Sequence, residues 1–166
     1  MNIGQIQIDF LTKFNELTSL QCIKSTDLEK INPSKMDKNR IVSRVLTSDI
    51  GINKYESRTS DENYRYFNQI NVNRLTLTFN FLSDYDKVLL CHNFFNHLGG
   101  SKWWNDRAGT DYVIEDVTSI VDLSDTIDAD YREKYNFDII IRISDSNTEK
   151  IELIKDVDFN ILVKNN

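Results

Sequence analysis

The stretch NVNRLTLTFNFLS, residues 71–83, constrains the fold most strongly, because its side chains alternate in character along its length. The apolar set is Leu75, Leu77, Phe79 and Phe81. The polar set is Arg74, Thr76, Thr78 and Asn80. Successive side chains of a β-strand point to opposite faces, so this pattern predicts a strand with one buried face.

A second alternating stretch covers residues 129–143. Its apolar set is Tyr131, Tyr135, Phe137, Ile139, Ile141 and Ile143. Shorter extended segments are predicted at 21–25, 40–52 and 112–117, and a last, partly exposed strand at 151–163. Residues 31–39 are predicted to form a loop, because Pro33 restricts the residue before it to extended conformations.

Two segments show the spacing of amphipathic helices. In the first, apolar residues recur every three or four positions, at Ile3, Ile6, Phe10, Phe14 and Leu17. The second spans roughly 85–98, with Ser83 or Asp84 as the predicted N-cap and Gly99–Gly100 as the predicted C-terminal stop. Residues 101–110 have room for one helical turn. These elements predict an α+β fold in which two helices pack on a mainly antiparallel sheet.

The length of 166 residues is close to that of one domain, so we expect residues 1–166 to form a single unit. The polar segment 53–67 is predicted to be an arm or a long hairpin connection. The net charge of −6 comes without a basic stripe, which argues against a tight nucleic-acid binder. An acidic surface is nevertheless compatible with DNA that slides past without sticking.

The start of the chain lacks the pattern of a signal peptide, and no apolar run approaches the roughly 18 residues of a membrane span. We therefore expect no membrane association and a cytosolic setting, in which Cys22 and Cys91 stay reduced. One of Trp103 and Trp104 is expected in the core and the other at the surface, since adjacent residues cannot share a face.

The segment CHNFFNH is the first candidate for a metal site. On a helix, His92 and His97 diverge by about 140° because they are five residues apart, whereas zinc-binding helices use a spacing of four. We interpret Cys91 as a core thiol and the two imidazoles as partly exposed.

The acidic run in VDLSDTIDADYREKYNFDIIIRI, residues 121–143, is the second candidate. Asp128 and Asp130 are two apart, so on a strand they could chelate Mg²⁺ or Mn²⁺ in a small nuclease, with Glu115, Asp116 or Lys134 as companions. A solvated turn is the usual role of such a run and is favoured here. Nucleotide-binding and nucleophile motifs are absent from the sequence, so we expect neither catalysis nor a cofactor.

Several short motifs follow one another in an ordered way: the strand RLTLTFNF, a helix, a short strand, DLS, then YREKYNFDI and a late Ile–Glu pair. This order resembles the phage neck terminator family, the tail-terminator proteins of contractile-tailed phages, over roughly residues 70–155. The residues that match the family pattern are Arg74, Asp122, Leu123, Ser124, Tyr131, Phe137, Asp138, Ile139, Ile151 and Glu152.

The YREKYNFDI segment also departs from the family pattern. Lys134 stands where the family usually has arginine, and Tyr135 stands where it has alanine. Arg132 displaces the usual acid and leaves Glu133 beside it. The resemblance leaves open whether Arg132 and Lys134 preserve the subunit contact that the family's acid and arginine would make. Asp122 is expected to cap a turn or to bind backbone amides.

The resemblance implies a structural protein of the virion, assembled in the host cytoplasm. Such proteins form a ring, typically a hexamer, that caps the tail tube, ends its growth and joins the tail to the head-side connector or stopper protein. The implied partners are other copies of the chain, the tube protein, the connector and the tail sheath, while DNA passes through the lumen without specific binding. The arm at 53–67 would reach a neighbouring subunit, and the edge strand 151–163 would pair across the ring. Another head–tail connector or tail adaptor of the same virion is the alternative.

Overall fold

The computed structural model describes the backbone of residues 2–61, 64–127 and 130–152, and the side chains of these ranges except 47–55, 125–132 and 152. Three α-helices, two short 3-10 helices and eight strands lie within these ranges. The helices are α1 (Ile3–Thr18), α2 (Tyr85–Asn96) and α3 (Leu98–Ala108), and the 3-10 helices are Ser25–Lys30 and Pro33–Lys35. The strands are β1 (Gln21–Lys24), β2 (Arg40–Ser60), β3 (Tyr64–Leu82), β4 (Tyr112–Val117), β5 (Val121–Asp122), β6 (Asp125–Ile127), β7 (Asp130–Arg132) and β8 (Tyr135–Glu152).

Six strands form one sheet in the order β1-β2-β3-β8-β4, with β5 paired to the start of β8. β1 and β2 run parallel, and the other pairs in this sheet are antiparallel. β6 and β7 form a separate two-stranded antiparallel sheet. The predicted α+β class with a mainly antiparallel sheet is therefore confirmed.

The core lies between one face of the sheet and the helices. The two alternating stretches form its floor, because Leu77 pairs with Ile139 and Phe79 with Phe137, and these side chains are all buried. Phe14 of α1 packs its ring edge-on against Phe79, with the ring centroids 4.7 Å apart. The period-two and helical patterns thus correctly identified the buried faces of β3, β8 and α1.

The third helix, α3, corrects the prediction that Gly99–Gly100 ends the second helix. α2 ends at Asn96, and both glycines lie in the first turn of α3. A Cβ on Gly100 would lie 2.5 Å from the carbonyl oxygen of Phe94 and 2.6 Å from the Cα of Phe95. The absence of a side chain therefore lets α3 approach the backbone of α2, and the packing of the two helices overrides the tendency of glycine to end a helix.

α3 contacts α1 through the buried ring of Trp104 and through one ion pair. Trp104 is fully buried and stacks on Phe10, with the ring centroids 4.7 Å apart. Trp103 is half-buried, so the expectation of one core tryptophan is confirmed. The buried carboxylate of Asp9 accepts a 2.6 Å hydrogen bond from Arg107 Nη2, which raises the pKa of that guanidinium.

Two boundaries differ from the prediction. Asp84 is the N-cap residue of α2, but its side chain makes no capping hydrogen bond. β8 begins at Tyr135 rather than at 129, because residues 130–132 form β7 and pair with β6. The predicted last strand overlaps the structure only at 151–152, the end of β8, and residues 153–166 lie outside the described part.

Candidate assembly interface

The sheet continues well beyond the helices as three strands. β4 leaves the sheet where Tyr112 pairs with Ile143, and from there β2, β3 and β8 run on together. We call residues 53–60, 64–72 and 144–152 the arm. The register of β2 shifts between Asp49 and Asn53, where the arm begins, and such irregularities usually bend a sheet. At about 3.3 Å per residue the arm is about 30 Å long.

Asp61 makes local hydrogen bonds to β3 at the arm tip. Asp61 Oδ1 accepts the Tyr64 backbone N–H at 2.7 Å, and Oδ2 accepts the Tyr66 hydroxyl at 3.0 Å. That hydrogen bond raises the pKa of Tyr66. In the polar segment 53–67, predicted as an arm or a hairpin connection, residues 53–60 and 64–67 thus lie in two paired strands, and residues 62–63 lie outside the described part. Its role as a contact to a neighbouring subunit stays a prediction.

Polar and cation–ring contacts link the three strands of the arm. Thr148 donates a hydrogen bond of 2.9 Å to Asn68 across the β3–β8 pair. The ammonium of Lys150 lies 3.4 Å from the ring centroid of Tyr64. On the other face the guanidinium of Arg58 lies 5.2 Å from the ring centroid of Phe67. These contacts set the strand register with very little apolar burial.

The described arm side chains are all half-buried or exposed, on both faces of the ribbon. Ile70 and Ile151 are among the more exposed large apolar residues of the protein. Strands generally need a hydrophobic face that is covered by other elements to be stable on their own. A ribbon of this length without a covered face is therefore a candidate surface for another protein chain.

Both long edges of the arm are open among the described residues. The pairing of β2 with β1 ends at Ser43, so β2 has no further outer neighbour in the described part of the chain. β8 is likewise without a described outer neighbour after Ser144, whose N–H donates to the Asp111 carbonyl at 2.8 Å. Open edges expose rows of backbone donors and acceptors to which another strand can add.

The DLS motif fastens the loop after β5 to the start of β8. The hydroxyl and the backbone N–H of Ser124 both bond to Asp122, which lowers the pKa of that carboxyl; the N–H lies 2.8 Å from Oδ1. Leu123 donates its N–H to the Lys134 carbonyl at 2.7 Å, and Lys134 donates its N–H to Ser124 Oγ at 3.0 Å. Asp122 binds a backbone amide as expected. Because Lys134 takes part through its backbone, a lysine can replace the family's arginine without loss of this contact.

A second group of matched residues spans the sheet on the face away from the helices. Arg74 reaches across β8 and binds Glu115 of β4 with two hydrogen bonds of 2.6 and 2.7 Å. This pairing lowers the pKa of Glu115. Asp138 Oδ1 accepts the Thr78 hydroxyl at 2.7 Å, and the Asp138 N–H donates to Thr118 Oγ1 at 2.8 Å. Arg74 thus links β3 to β4 across β8, and Asp138 links β8 to β3.

The remaining matched residues are dispersed. Phe137 and Ile139 belong to the core, and Ile151 and Glu152 end β8 in the arm. Glu133 lies half-buried beside the DLS contact, while Tyr131 is described only as part of the β7 backbone. The matched positions therefore form no single cluster, and their role as a family signature for subunit contact stays a prediction.

The candidate metal residues take ordinary structural positions. Cys91 is fully buried, and burial raises the pKa of its thiol to about 12. The half-buried His92 places Nε2 3.0 Å from the carbonyl oxygen of Thr118. Within the described ranges, groups of three or more metal-ligating side chains do not occur. Asp128 lies outside the described residues, and Asp130 is described by its backbone alone.

Sequence reasoning missed two features of this surface. It placed the start of the strand near residue 71, whereas β3 begins at Tyr64. In YRYFNQINV, residues 64–72, Tyr64, Tyr66 and Asn68 occupy every second position. This period of two is the signal that could have extended the predicted strand back to Tyr64. Sequence reasoning also missed the ion pair of Glu115 with Arg74 and left Glu115 as a possible metal ligand. The two residues lie 41 positions apart in sequence, so no local pattern links them.

Helices long and apolar enough to cross a membrane do not occur in the described part of the chain. A search among curated proteins finds no significant match. The model of a family described as phage neck terminator protein matches residues 8–166, which is nearly the whole chain. The chain therefore belongs to the phage neck terminator protein family, a structural family of the virion neck and tail.

Proposed function

We propose that this chain assembles into a ring, a hexamer in the simplest case, at the head-proximal end of the tail tube. The ring ends tube growth and offers a platform on which the head-side connector docks, without a catalytic step. The family match supports a structural role in the neck. The observation that carries the ring proposal is the arm, a three-stranded ribbon whose two faces and two edges are open within the described part of the chain.

The energetics of the arm favour a covered state. Most of its side chains are polar or exposed, so the isolated subunit gains little from burial there. Packing the arm against a neighbour would bury Ile70 and Ile151, and apolar burial contributes roughly 25 cal/mol per Å². The helices already pack on the sheet to form the subunit core. The arm is therefore the element that can extend to a neighbouring subunit.

The partners follow from the position at the tube end. One side of the ring would contact the tube protein, and the sheath where it surrounds the tube, and the other side would contact the head connector. DNA must pass through the ring, and the net charge of −6 supports passage without tight binding to phosphates.

The proposal is tested with purified protein and tail tubes that lack it. Negative-stain electron microscopy should show a ring of subunits at one end of each tube, and the tubes should stop elongating. Protein that remains monomeric in the presence of tubes would refute the proposal. Protein found on the connector side alone would identify a head–tail adaptor instead.

Two matched variants sharpen this test. Ile151→Lys places a charge on the open edge strand of the arm, where lysine opposes strand addition. Leu90→Lys makes the same change on α2 at nearly equal exposure, 48% against 44% for Ile151. We expect Ile151→Lys to reduce ring formation and Leu90→Lys to leave it unchanged.

A further inference from the structure

We propose that neighbouring copies join by parallel pairing of the free β2 edge of one arm with the free β8 edge of the next, so that the arms close into one cyclic sheet. This inference rests on the proposed ring and names the strands that form its junction. Three observations carry it: the direction of the two edges, their extent, and the charges that face each other.

The strand directions favour a head-to-tail junction. β2 is antiparallel to β3, and β3 is antiparallel to β8, so β2 and β8 run in the same direction. Around a rotation axis each copy then presents a β2 edge to the β8 edge of its neighbour. A two-fold dimer would instead pair like edges and leave one open edge on every copy. A closed ring removes all of these edges, which an open ribbon cannot do.

The extents of the two edges also agree. Within the described strands, β2 has no outer partner from Arg44 to Ser60, and β8 has none from Asp145 to Glu152, since the Ser144 N–H still bonds to the Asp111 carbonyl. In the arm, residues 57–60 of β2 lie in the same cross-strand rows as residues 148–151 of β8, with β3 between them. The two edges therefore end in the same cross-strand rows at the arm tip, and the strand of a neighbouring copy can pair along the full length of the arm.

One cross-strand row is complementary in charge. Arg58 pairs with Phe67, and Phe67 pairs with Glu149, so the row has a cation at the β2 edge and an anion at the β8 edge. Glu149 is exposed and makes no ion pair within the described part of the chain. In a parallel junction without offset, the Arg58 of one copy lies beside the Glu149 of the next.

Disulfide trapping of the assembled ring tests the junction. In the Arg58→Cys/Glu149→Cys variant, β3 separates the two cysteines of one copy by two strand spacings, about 10 Å. A disulfide needs Cα atoms within about 7 Å, so it can form between copies only. Mild oxidation should produce a ladder of covalent multimers that ends at the ring size. Ser57→Cys/Glu149→Cys is the matched control, because its two side chains lie on opposite faces and should give no ladder.

The outcomes separate the two proposals. If rings form but Glu149→Cys gives no ladder with Arg58→Cys, or with the two neighbouring same-face positions Glu56→Cys and Ser60→Cys, the parallel junction is wrong. Covalent dimers of the single variant Glu149→Cys within intact rings would likewise overturn it, in favour of paired β8 edges. If the wild-type protein forms no ring on tubes, the proposed function itself fails, and the junction fails with it.

Hydrogen exchange on the wild-type protein provides a readout that does not depend on the folding of a variant. The arm amides of both β2 and β8 should exchange more slowly in the ring than in the free subunit. Protection gained by one of the two strands alone would overturn the proposed junction.

Discussion

The contact between α2 and α3 makes a sharp prediction, because it depends on a single missing methyl group. In Gly100→Ala the new Cβ would meet the Phe94 carbonyl oxygen at 2.5 Å and the Phe95 Cα at 2.6 Å. Both are backbone atoms, so no side chain can rotate away and the two helices must separate. Trp104 lies one turn further along α3 and is fully buried, so this movement would also disturb the core.

The expected loss of stability in Gly100→Ala follows from the cost of overpacking. Forcing an extra carbon into a packed site typically costs about 1–3 kcal/mol. Alanine favours the helix over glycine by roughly 0.5–1 kcal/mol, so the net loss should be about 1 kcal/mol, below the middle of the overpacking range. For a chain of this size each kcal/mol changes the melting temperature by about 2–4 °C. We therefore expect Gly100→Ala to melt several degrees below the wild-type protein.

Gly99→Ala is the matched control. Its Cβ would have no neighbour closer than Phe94 Cε2 at 4.0 Å, so the helix preference of alanine should leave stability equal or slightly higher. Thermal unfolding followed by circular dichroism at neutral pH compares the three proteins. If Gly100→Ala melts at the same temperature as Gly99→Ala, the close approach of the two helices is not the reason for this glycine.

Three further predictions concern single side chains. Arg107→Ala should lower the free energy of unfolding by about 1–3 kcal/mol in urea titrations, because it leaves the buried carboxylate of Asp9 with one hydrogen-bond donor fewer; an unchanged midpoint would contradict this. The pKa of Glu115 is lowered by its hydrogen bonds to Arg74, so this pair stabilises the fold above the ordinary carboxyl pKa and loses its effect as the pH falls through the lowered value. The melting temperatures of wild type and Glu115→Gln should then converge in acid, and a constant difference would refute the pairing. Cys91, with its pKa raised to about 12 by burial, should react with a thiol reagent at pH 8 only as fast as the chain unfolds; rapid labelling of the folded protein would show that the thiol is accessible.

Local side-chain direction explains why much of the sheet could be predicted. A period of two places Leu77 and Phe79 on one face of a strand whatever the strand later packs against. The same holds for Phe10 and Phe14 at helical spacing. The α+β class, the buried faces and the family followed from such short-range patterns and from the order of the motifs.

The glycine pair shows where local reasoning failed. Gly99–Gly100 has the composition of a helix stop, yet both residues begin α3. The deciding contact joins Gly100 to the backbone of α2, and such a contact depends on how two helices cross rather than on the preference of one residue. For the same reason the sequence did not reveal α3 as a full helix.

The arm and the matched motif residues show what tertiary structure alone decided. Sequence patterns by themselves determined that this chain has alternating strands and the signature of a neck terminator. Only the folded chain brings Arg74 to Glu115 and Ser124 to the backbone of Lys134, because these pairs join strands and loops that are distant in sequence. The open edges of the arm likewise depend on where β1 and β4 stop pairing, which is a property of the whole sheet.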